Sequence, residues 1–278
     1  MAILKMQHIS IFGLKKNRKA IIELLQRSGV VEIDDILKED SIFKKTDMSS
    51  AKAIFEKNVA LSEQSLSILQ EFSPEEKSVF AMFEGKRPVS VENYYTFSYE
   101  RDEVMRVVFR LVALSKEISE KRADIIKYKT QSEALIPWLA LDISMRFKGT
   151  KNTASFIGSF PREMTQDAIL EGLASDKISA VNVDIVSASK EQTCVFILCS
   201  KLEKDAVQEA LRAMDFSEPA APSKEAPSVL KAQLEERIST AEKNIEVAVE
   251  EIFSYSGMRN AIKFMADYYR CRADKYEV

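Results

Sequence analysis

Two long stretches of the chain repeat their apolar residues at intervals of seven, and this pattern constrains the fold more than any other sequence feature. The first stretch runs from Arg101 to about Pro137, and the second from about Ser228 to Lys275. Such a repeat places one apolar seam along an α-helix, which is buried against the seam of another helix. The residues predicted to form the two seams are Val104, Leu111, Leu114, Ile118, Ile125, Leu234, Ile238, Ile245 and Ile252.

The composition agrees with long helices. Only 7 Gly and 7 Pro occur among 278 residues, and 30% of the residues are charged. Gly and Pro are the residues that most disfavour a helix interior, so their scarcity allows uninterrupted helices of roughly 55 and 70 Å. Each helix buries only one stripe, and the nearest partner for each is the other. We therefore predict an antiparallel coiled-coil hairpin; the alternative is a compact bundle of shorter helices.

A small lobe is predicted between the two seams. Thr153–Phe160, Ile178–Ser187 and Thr193–Cys199 have the apolar patterns of β-strands, and the last is apolar enough to be a central strand. Pro161–Ser175 and Lys201–Met214 have helical patterns. The order is therefore β-α-β-β-α, with Cys194 and Cys199 on opposite faces of their strand because they are five residues apart.

The beginning of the chain is predicted to form a second small lobe. Ile3–Phe12 and Val30–Ile33 are β-prone, and Lys15–Ser28 between them has a helical pattern that ends at Gly29. A further helix is expected over residues 48–72, and the sequence does not show where it packs.

The predicted fold class is therefore α+β: an elongated, long antiparallel helical coiled-coil rod with a small α/β lobe at each end. The last helix reaches Val278 without a capping signal, so we expect it to continue past that residue. The predicted domains are an incomplete proximal α/β lobe at 1–45 on which 78–100 could pack, outgoing helices at 46–150, a distal lobe at 151–218 and a returning helix at 224–278.

The residues that usually perform catalysis are scarce. His8 is the one histidine, and Cys194, Cys199 and Cys271 do not have the spacing of a zinc site. No glycine-rich loop that could bind phosphate is present. The 40 Lys and Arg residues against 43 Asp and Glu give a net charge of −3, which argues against nucleic-acid binding. We expect no catalytic site, no cofactor and no metal, and no apolar run approaches the roughly 18 residues of a membrane span.

Four aromatic residues lie close together near the start of the first long helix. They are Tyr94, Tyr95, Phe97 and Tyr99. Aromatic side chains are enriched at protein–protein contacts, and they are also common in cores. A partner contact and internal packing both remain open for this cluster.

The ordered set of motifs resembles the cytoplasmic part of subunit a of V-type and A-type rotary ATPases, called subunit I in bacteria and archaea. The first 33 residues carry K-M-x-x-I-x-I-x-G and L-x-x-x-G-V-V-E-I, and the predicted distal lobe carries F-I-G-S-F-P. The order of a long helix, a β-α-β-β-α lobe and a returning helix is also similar. The resemblance covers essentially the whole chain, and it transfers no functional residue of the family to this sequence.

The resemblance implies a non-catalytic stator component on the cytoplasmic side of a membrane. Its lobes would dock the peripheral-stalk heterodimer, and it would continue into a membrane domain of the same subunit beyond Val278. The central-stalk rotor-cap subunit is a further candidate partner. Two alternatives remain: an α/β lobe that senses a ligand and signals through the coiled coil, and an unrelated coiled-coil scaffold.

Overall fold

The structure is a computed structural model that describes residues 6–32, 49–75, 88–175 and 177–274. Over these residues the chain is an α+β protein, mainly helical with one three-stranded sheet. It forms two compact units: the first takes its described residues from Met1–Ser115 and Glu251–Val278, and the second from Lys116–Glu250. The elements are α1 (Arg18–Ser28), α2 (Ser49–Phe72), α3 (Val91–Leu135), β1 (Thr153–Phe160), α4 (Gln166–Leu173), β2 (Val181–Ala188), β3 (Thr193–Ser200), α5 (Lys204–Ala213), α6 (Pro227–Ser254) and α7 (Arg259–Asp274).

The described start of the chain contains a helix but no strand. Helix α1 ends at Gly29, which adopts a left-handed conformation with φ 62°, as predicted. Residues 6–14 and 30–32 have no regular structure, so the strands predicted at Ile3–Phe12 and Val30–Ile33 are wrong for their described parts. The rest of the predicted lobe lies outside the described residues. A β-strand requires the hydrogen bonds of a neighbouring strand, and β-prone sequence alone does not supply them.

In the first unit, α2 and α3 both run antiparallel to α7. Phe55 of α2 lies 6.1 Å from Tyr269 between ring centroids, whereas the other end of α2 contacts Arg259 at the start of α7. Phe97 of α3 stacks edge-on with Phe264 at 4.5 Å. These contacts place the helix predicted at 48–72 in a three-helix bundle.

Two serines allow the helices of this bundle to approach closely. Ser62 and Ser65 are completely buried on α2. The Ser65 hydroxyl lies 2.9 Å from the carbonyl oxygen of Leu61 in its own helix and 3.2 Å from that of Val108 in α3. A small side chain whose hydroxyl bonds to backbone carbonyls can be buried without an unsatisfied polar atom.

In the second unit the strand order is β1-β3-β2, with all neighbours antiparallel. The predicted positions of the three strands are confirmed, and β3 is central as expected. One face of the sheet packs against α4 and α5, where Val195, Ile197 and Cys199 meet Leu211 in one core. The opposite face carries Cys194, which packs with Trp138 in a second core. The two cysteines therefore lie on opposite faces of β3, as predicted.

Gly158 of β1 lies where another chain segment crosses the sheet at close range. Ser159 next to it exchanges two backbone hydrogen bonds with Ser217, of 2.8 and 3.0 Å. A methyl group on Gly158 would collide with the carbonyl oxygen of Ser217 and with the ring of Phe216. This close approach explains the glycine of the F-I-G-S-F-P motif.

We expect Gly158→Ala to lower the free energy of unfolding of the second unit by about 2 kcal/mol, because the backbone of Ser217 must move to accommodate the added carbon. Gly257→Ala is the matched control, since no atom lies within 4 Å of the added carbon. It should be neutral or stabilising by up to about 1 kcal/mol. Urea denaturation of both variants measures the difference, and equal stabilities would contradict the crowding at Gly158.

Candidate interaction surfaces

The described residues do not assemble the chemistry of an active site. No group of three or more His, Cys, Asp or Glu side chains in the described part of the chain lies close enough to hold a metal ion. His8 is exposed, whereas Cys194 and Cys199 are buried. Burial raises the pKa of both thiols, which lowers the thiolate fraction that nucleophilic chemistry needs. Among the helices described, none combines the length and apolarity required to cross a bilayer.

The predicted seam of α3 is buried along most of its length. In the first unit, Val104, Leu111 and Leu114 are at most 3% exposed. In the second unit, Ile118 is buried and Ile125 is half-buried. Val108, which is not among the predicted seam residues, is also completely buried in the first unit. The buried stripe of α3 is wider in the first unit because α3 packs against two helices. It contacts α7, and it contacts α2 through Val108.

The predicted seam of α6 combines large and small residues. In the second unit Leu234 is buried with Trp138, whereas Ile238 and Ile245 are half-buried. Ala241 and Ala248, which lie one heptad apart on the same helix, are buried. At the end of α6, Ile252 is completely buried in the first unit. That these positions form one continuous coiled-coil seam with α3 stays a prediction.

A 3-10 turn at Tyr255–Met258 separates α6 from α7, so the helical stretch predicted from about residue 228 to residue 275 is interrupted there. The seven-residue spacing of buried positions nevertheless continues through the turn. The buried positions that continue it are Ile252, Arg259, Ala266 and Ala273 in one register and Ile262 and Tyr269 in the other.

Arg259 occupies an apolar seam position although it is charged. Its side chain is only 9% exposed, and its guanidinium donates to the carbonyl oxygens of Leu69, at 3.1 Å, and Ser73. It also donates to the Gln70 side chain at 3.2 Å. The carbonyl of Leu69 also accepts the backbone amide of Ser73 at 2.9 Å, so Arg259 of α7 adds a second donor there and serves the carbonyl of Ser73 just past the end of α2. The seam predicted from the sequence does not include Arg259, so neither its burial nor this role was predicted.

The aromatic cluster of α3 is divided between packing and exposure. Phe97 is buried, and the ring of Tyr94 lies 5.3 Å from that of Tyr268 on α7. Tyr95 accepts a 2.5 Å hydrogen bond from Arg27, which ties α1 to α3. Tyr99 is 88% exposed and is therefore the one member of the cluster free to contact a partner.

The second unit has a groove at one end of its sheet, where β1 and β2 begin and β3 ends. The groove encloses about 450 Å³. It is lined by the following polar and apolar residues: Asn152, Thr153, Ala180, Val181, Asn182, Leu198, Cys199 and Ser200. Next to it, Glu203 accepts a 2.5 Å hydrogen bond from the Ser179 hydroxyl, which is the main cause of the lowered pKa of this carboxyl group. The groove was not predicted from the sequence, because it joins the ends of three strands that are distant along the chain.

The chain was compared with protein families, curated proteins and solved structures. No family model matches it, and no curated protein matches it. A similar solved structure is the crystal structure of the cytoplasmic N-terminal domain of subunit I, homolog of subunit a, of V-ATPase. The two chains are 18% identical, the match covers 95% of this chain and 87% of that one, and the TM-score is 0.47. A similarity at this level identifies neither the family nor the function of the protein.

Proposed function

We propose that this protein is a non-catalytic stator component of a rotary ATPase, which holds other subunits in place against the torque of the rotor. The proposal rests first on the resemblance of the ordered motifs to subunit a, or subunit I. The single structural observation that supports it most is the seven-residue spacing of buried residues through α6 and α7, from Leu234 to Ala273. Helices that bury a regular stripe form stiff pairs and bundles, and stiffness is what a stator requires.

The two units contribute to this function in different ways. In the first unit, Arg259 joins α7 to α2, and Arg110 of α3 makes two 2.6 Å hydrogen bonds to Glu251. These contacts join α7 to α2 and α3 to α6 without any reacting group. In the second unit, the β1-β3-β2 sheet is covered on both faces and offers its loops and ends as binding surfaces.

The finer parts of the proposal concern partners and location. Both predicted lobes dock the peripheral-stalk heterodimer, and the central-stalk rotor-cap subunit is a further partner. The protein lies on the cytoplasmic side of the membrane and continues into a membrane domain beyond Val278. It does not bind nucleic acid, which agrees with its net charge of −3.

Binding to the stalk tests this proposal directly. We expect the full chain to bind the purified peripheral-stalk heterodimer encoded in the same genome, with a Kd at or below the micromolar range in calorimetry. A chain that is folded by circular dichroism but does not bind would overturn the proposal. Absence of several apolar segments of roughly 20 residues in the reading frame past Val278 would count equally against it.

The groove in the second unit favours one second candidate, a lobe that binds a small regulatory ligand. Pockets of several hundred Å³ are typical of such sites. Under this alternative, an amino acid or a nucleotide should raise the unfolding temperature of the chain in a thermal-shift screen. A shift for one compound, together with failure to bind the stalk, would favour the alternative over the stator function.

A further inference from the structure

Three polar groups in the first unit are buried without a hydrogen-bond partner among the residues that the structure describes. They are the hydroxyl of Tyr94 on α3, the hydroxyl of Tyr268 on α7 and the Nε of Arg272 on α7. Buried polar groups in folded proteins almost always have a partner, so each exception requires an explanation.

The three groups belong to one cluster. Tyr268 and Arg272 are four residues apart on α7 and share a face of that helix, and the guanidinium carbon of Arg272 lies 4.9 Å from the centre of the Tyr268 ring. The rings of Tyr94 and Tyr268 are 5.3 Å apart. Burial raises the pKa of Tyr94, and the nearby charge of Arg272 opposes this rise. Tyr94 is therefore protonated at neutral pH and can donate a hydrogen bond.

Arg272 also lacks a counter-ion. Helix α7 carries two further arginines, of which Arg259 lies 3.9 Å from Glu75 and Arg270 pairs with Glu63 at 2.6 Å. No carboxylate of the described residues pairs with Arg272, although its Nε is buried. Removing a charge from water without an opposite charge is costly. The cluster thus holds one uncompensated positive charge beside two hydroxyl donors.

The site can be reached from the surface at Arg272. The side chain of Arg272 is half-buried and the neighbouring Cys271 is exposed, whereas Tyr268 is only 2% exposed. Arginine has a long side chain with many rotamers, so a small displacement of Arg272 would expose the two hydroxyls. A small molecule fits such an opening better than the surface of another protein does.

From these contacts we infer that Tyr94, Tyr268 and Arg272 bind the carboxylate group of a small molecule. A carboxylate carries one negative charge, which matches the single uncompensated guanidinium, whereas a phosphate group carries about −1.5 to −2 at neutral pH. The carboxylate oxygens accept a charge-assisted hydrogen bond from Arg272 and hydrogen bonds from the two hydroxyls. This inference goes beyond the proposed stator function and does not depend on it.

The surroundings of the site suit a carboxylate that is attached to an aromatic ring. Tyr95 meets the ring of Tyr94 edge-on at 5.6 Å, and the ring of Phe97 lies 5.7 Å from that of Tyr268. A further ring beside such a cluster gains offset or edge-to-face contacts in addition to its buried area.

The test measures the binding of benzoate to the full chain by saturation-transfer-difference NMR, because benzoate combines one carboxylate with one aromatic ring. We expect a Kd of about 1 mM, which corresponds to a modest free energy for each atom of so small a ligand. Benzamide has nearly the same shape without the charge, and it should bind at least about 10-fold more weakly.

Variants of the site identify the groups that bind benzoate. Arg272→Gln should raise the Kd at least about 10-fold, because it removes the charge. Tyr94→Phe and Tyr268→Phe should each raise it about 5-fold, the usual effect of one neutral hydrogen bond. The matched control is Arg270→Gln, which removes a 46% exposed arginine of the same helix and should leave the Kd unchanged.

The tyrosine variants separate binding from folding. The two hydroxyls have no partner in the free chain, so their removal should leave the unfolding temperature unchanged or raise it. Weaker benzoate binding in a chain of equal or higher stability is the expected result, and a purely structural role of the hydroxyls would not produce it. These two substitutions change the shape little and carry the test if Arg272→Gln does not fold.

Three results would overturn the inference: no benzoate signal at ten times the expected Kd, equal binding of benzoate and benzamide, or unchanged benzoate affinity in the folded site variants. Inorganic phosphate is the second probe. Phosphate binding that is tighter than that of benzoate and is lost in Arg272→Gln would also overturn it and assign the site to a phosphate group. None of these results bears on the stator proposal, which binding to the stalk tests separately.

Discussion

Replacement of Arg259 by alanine is expected to lower the free energy of unfolding of the first unit by about 3 kcal/mol, because it removes the charge-assisted hydrogen bonds that a nearly buried guanidinium donates to the carbonyls of Leu69 and Ser73. The side chain is 9% exposed, so water cannot fully replace the guanidinium. Hydrogen exchange of the α2 amides, measured by mass spectrometry, should accelerate accordingly. Trp138 is the single tryptophan of the chain and lies in the second unit, so its fluorescence follows the unfolding of that unit for comparison with the first.

Arg270→Ala is the matched control for Arg259→Ala. Arg270 also lies on α7 and pairs with a carboxylate of α2, Glu63, at 2.6 Å. Its side chain is 46% exposed, however, so its removal should cost less than about 1 kcal/mol. Arg259→Lys keeps the charge but has no planar fork to reach several acceptors, and it should recover only part of the loss. Equal exchange rates in the Arg259→Ala and Arg270→Ala variants would contradict the capping role.

The second unit was predictable in detail because its signals are local. β1 has the predicted bounds, and β2 and β3 differ by at most three residues at an end. Short apolar runs bounded by polar turns specify strands, and the five-residue separation of the two cysteines specifies their faces. The groove could not be predicted, because it joins the ends of three strands that are distant along the chain. The exposure of Leu202 was not predicted either, because in the sequence K-L-E-K it looks like an ordinary apolar helix position. Its 98% exposure depends on where the turn after β3 projects.

The structure of the first unit was harder to predict because the conformation and burial of its residues depend on which other segments of the chain they contact. Ile9 and Ile11 alternate as in a strand, yet they are 60% and 51% exposed and lie in a segment without regular structure. Periodicity did not predict that an arginine at position 259 is buried or that it serves the end of α2. It also did not predict the burial of Val108, since a strict seven-residue repeat assumes one partner helix, and α3 contacts two helices in this unit.

The two surfaces available for partners differ in kind. Tyr99 in the first unit is a single exposed aromatic residue on α3, 88% exposed, in a cluster whose other members are engaged. The second unit has a groove at one end of its sheet, and Leu202 in the turn after β3 is 98% exposed. A stator that is fastened at more than one place gains avidity, since one bound contact raises the effective concentration of the next. This argument favours moderate contacts on both units over one dominant interface.

Leu211→Ala is expected to lower the free energy of unfolding of the second unit by about 3 kcal/mol, within the range that cavities from buried leucines produce. Leu211 lies on α5, is 1% exposed, and packs in the core on one face of the sheet. Leu202→Ala is the same substitution nearby in the sequence, at a 98% exposed position, and should change the stability by less than about 0.5 kcal/mol.

Trp138 fluorescence during urea denaturation measures both variants. The tryptophan packs with Cys194 on the face of the sheet opposite Leu211, so it reports the loss of the Leu211 core only through the shared strand β3. If the sheet and its two cores unfold together, the Leu211→Ala variant should have a lower urea concentration at the midpoint of unfolding. The slope of the free energy of unfolding against urea concentration should be unchanged. A Trp138 transition that is unchanged in Leu211→Ala, or equally shifted in Leu202→Ala, would show that the two faces do not form one cooperative unit. In that case the second unit could not act as a rigid docking body.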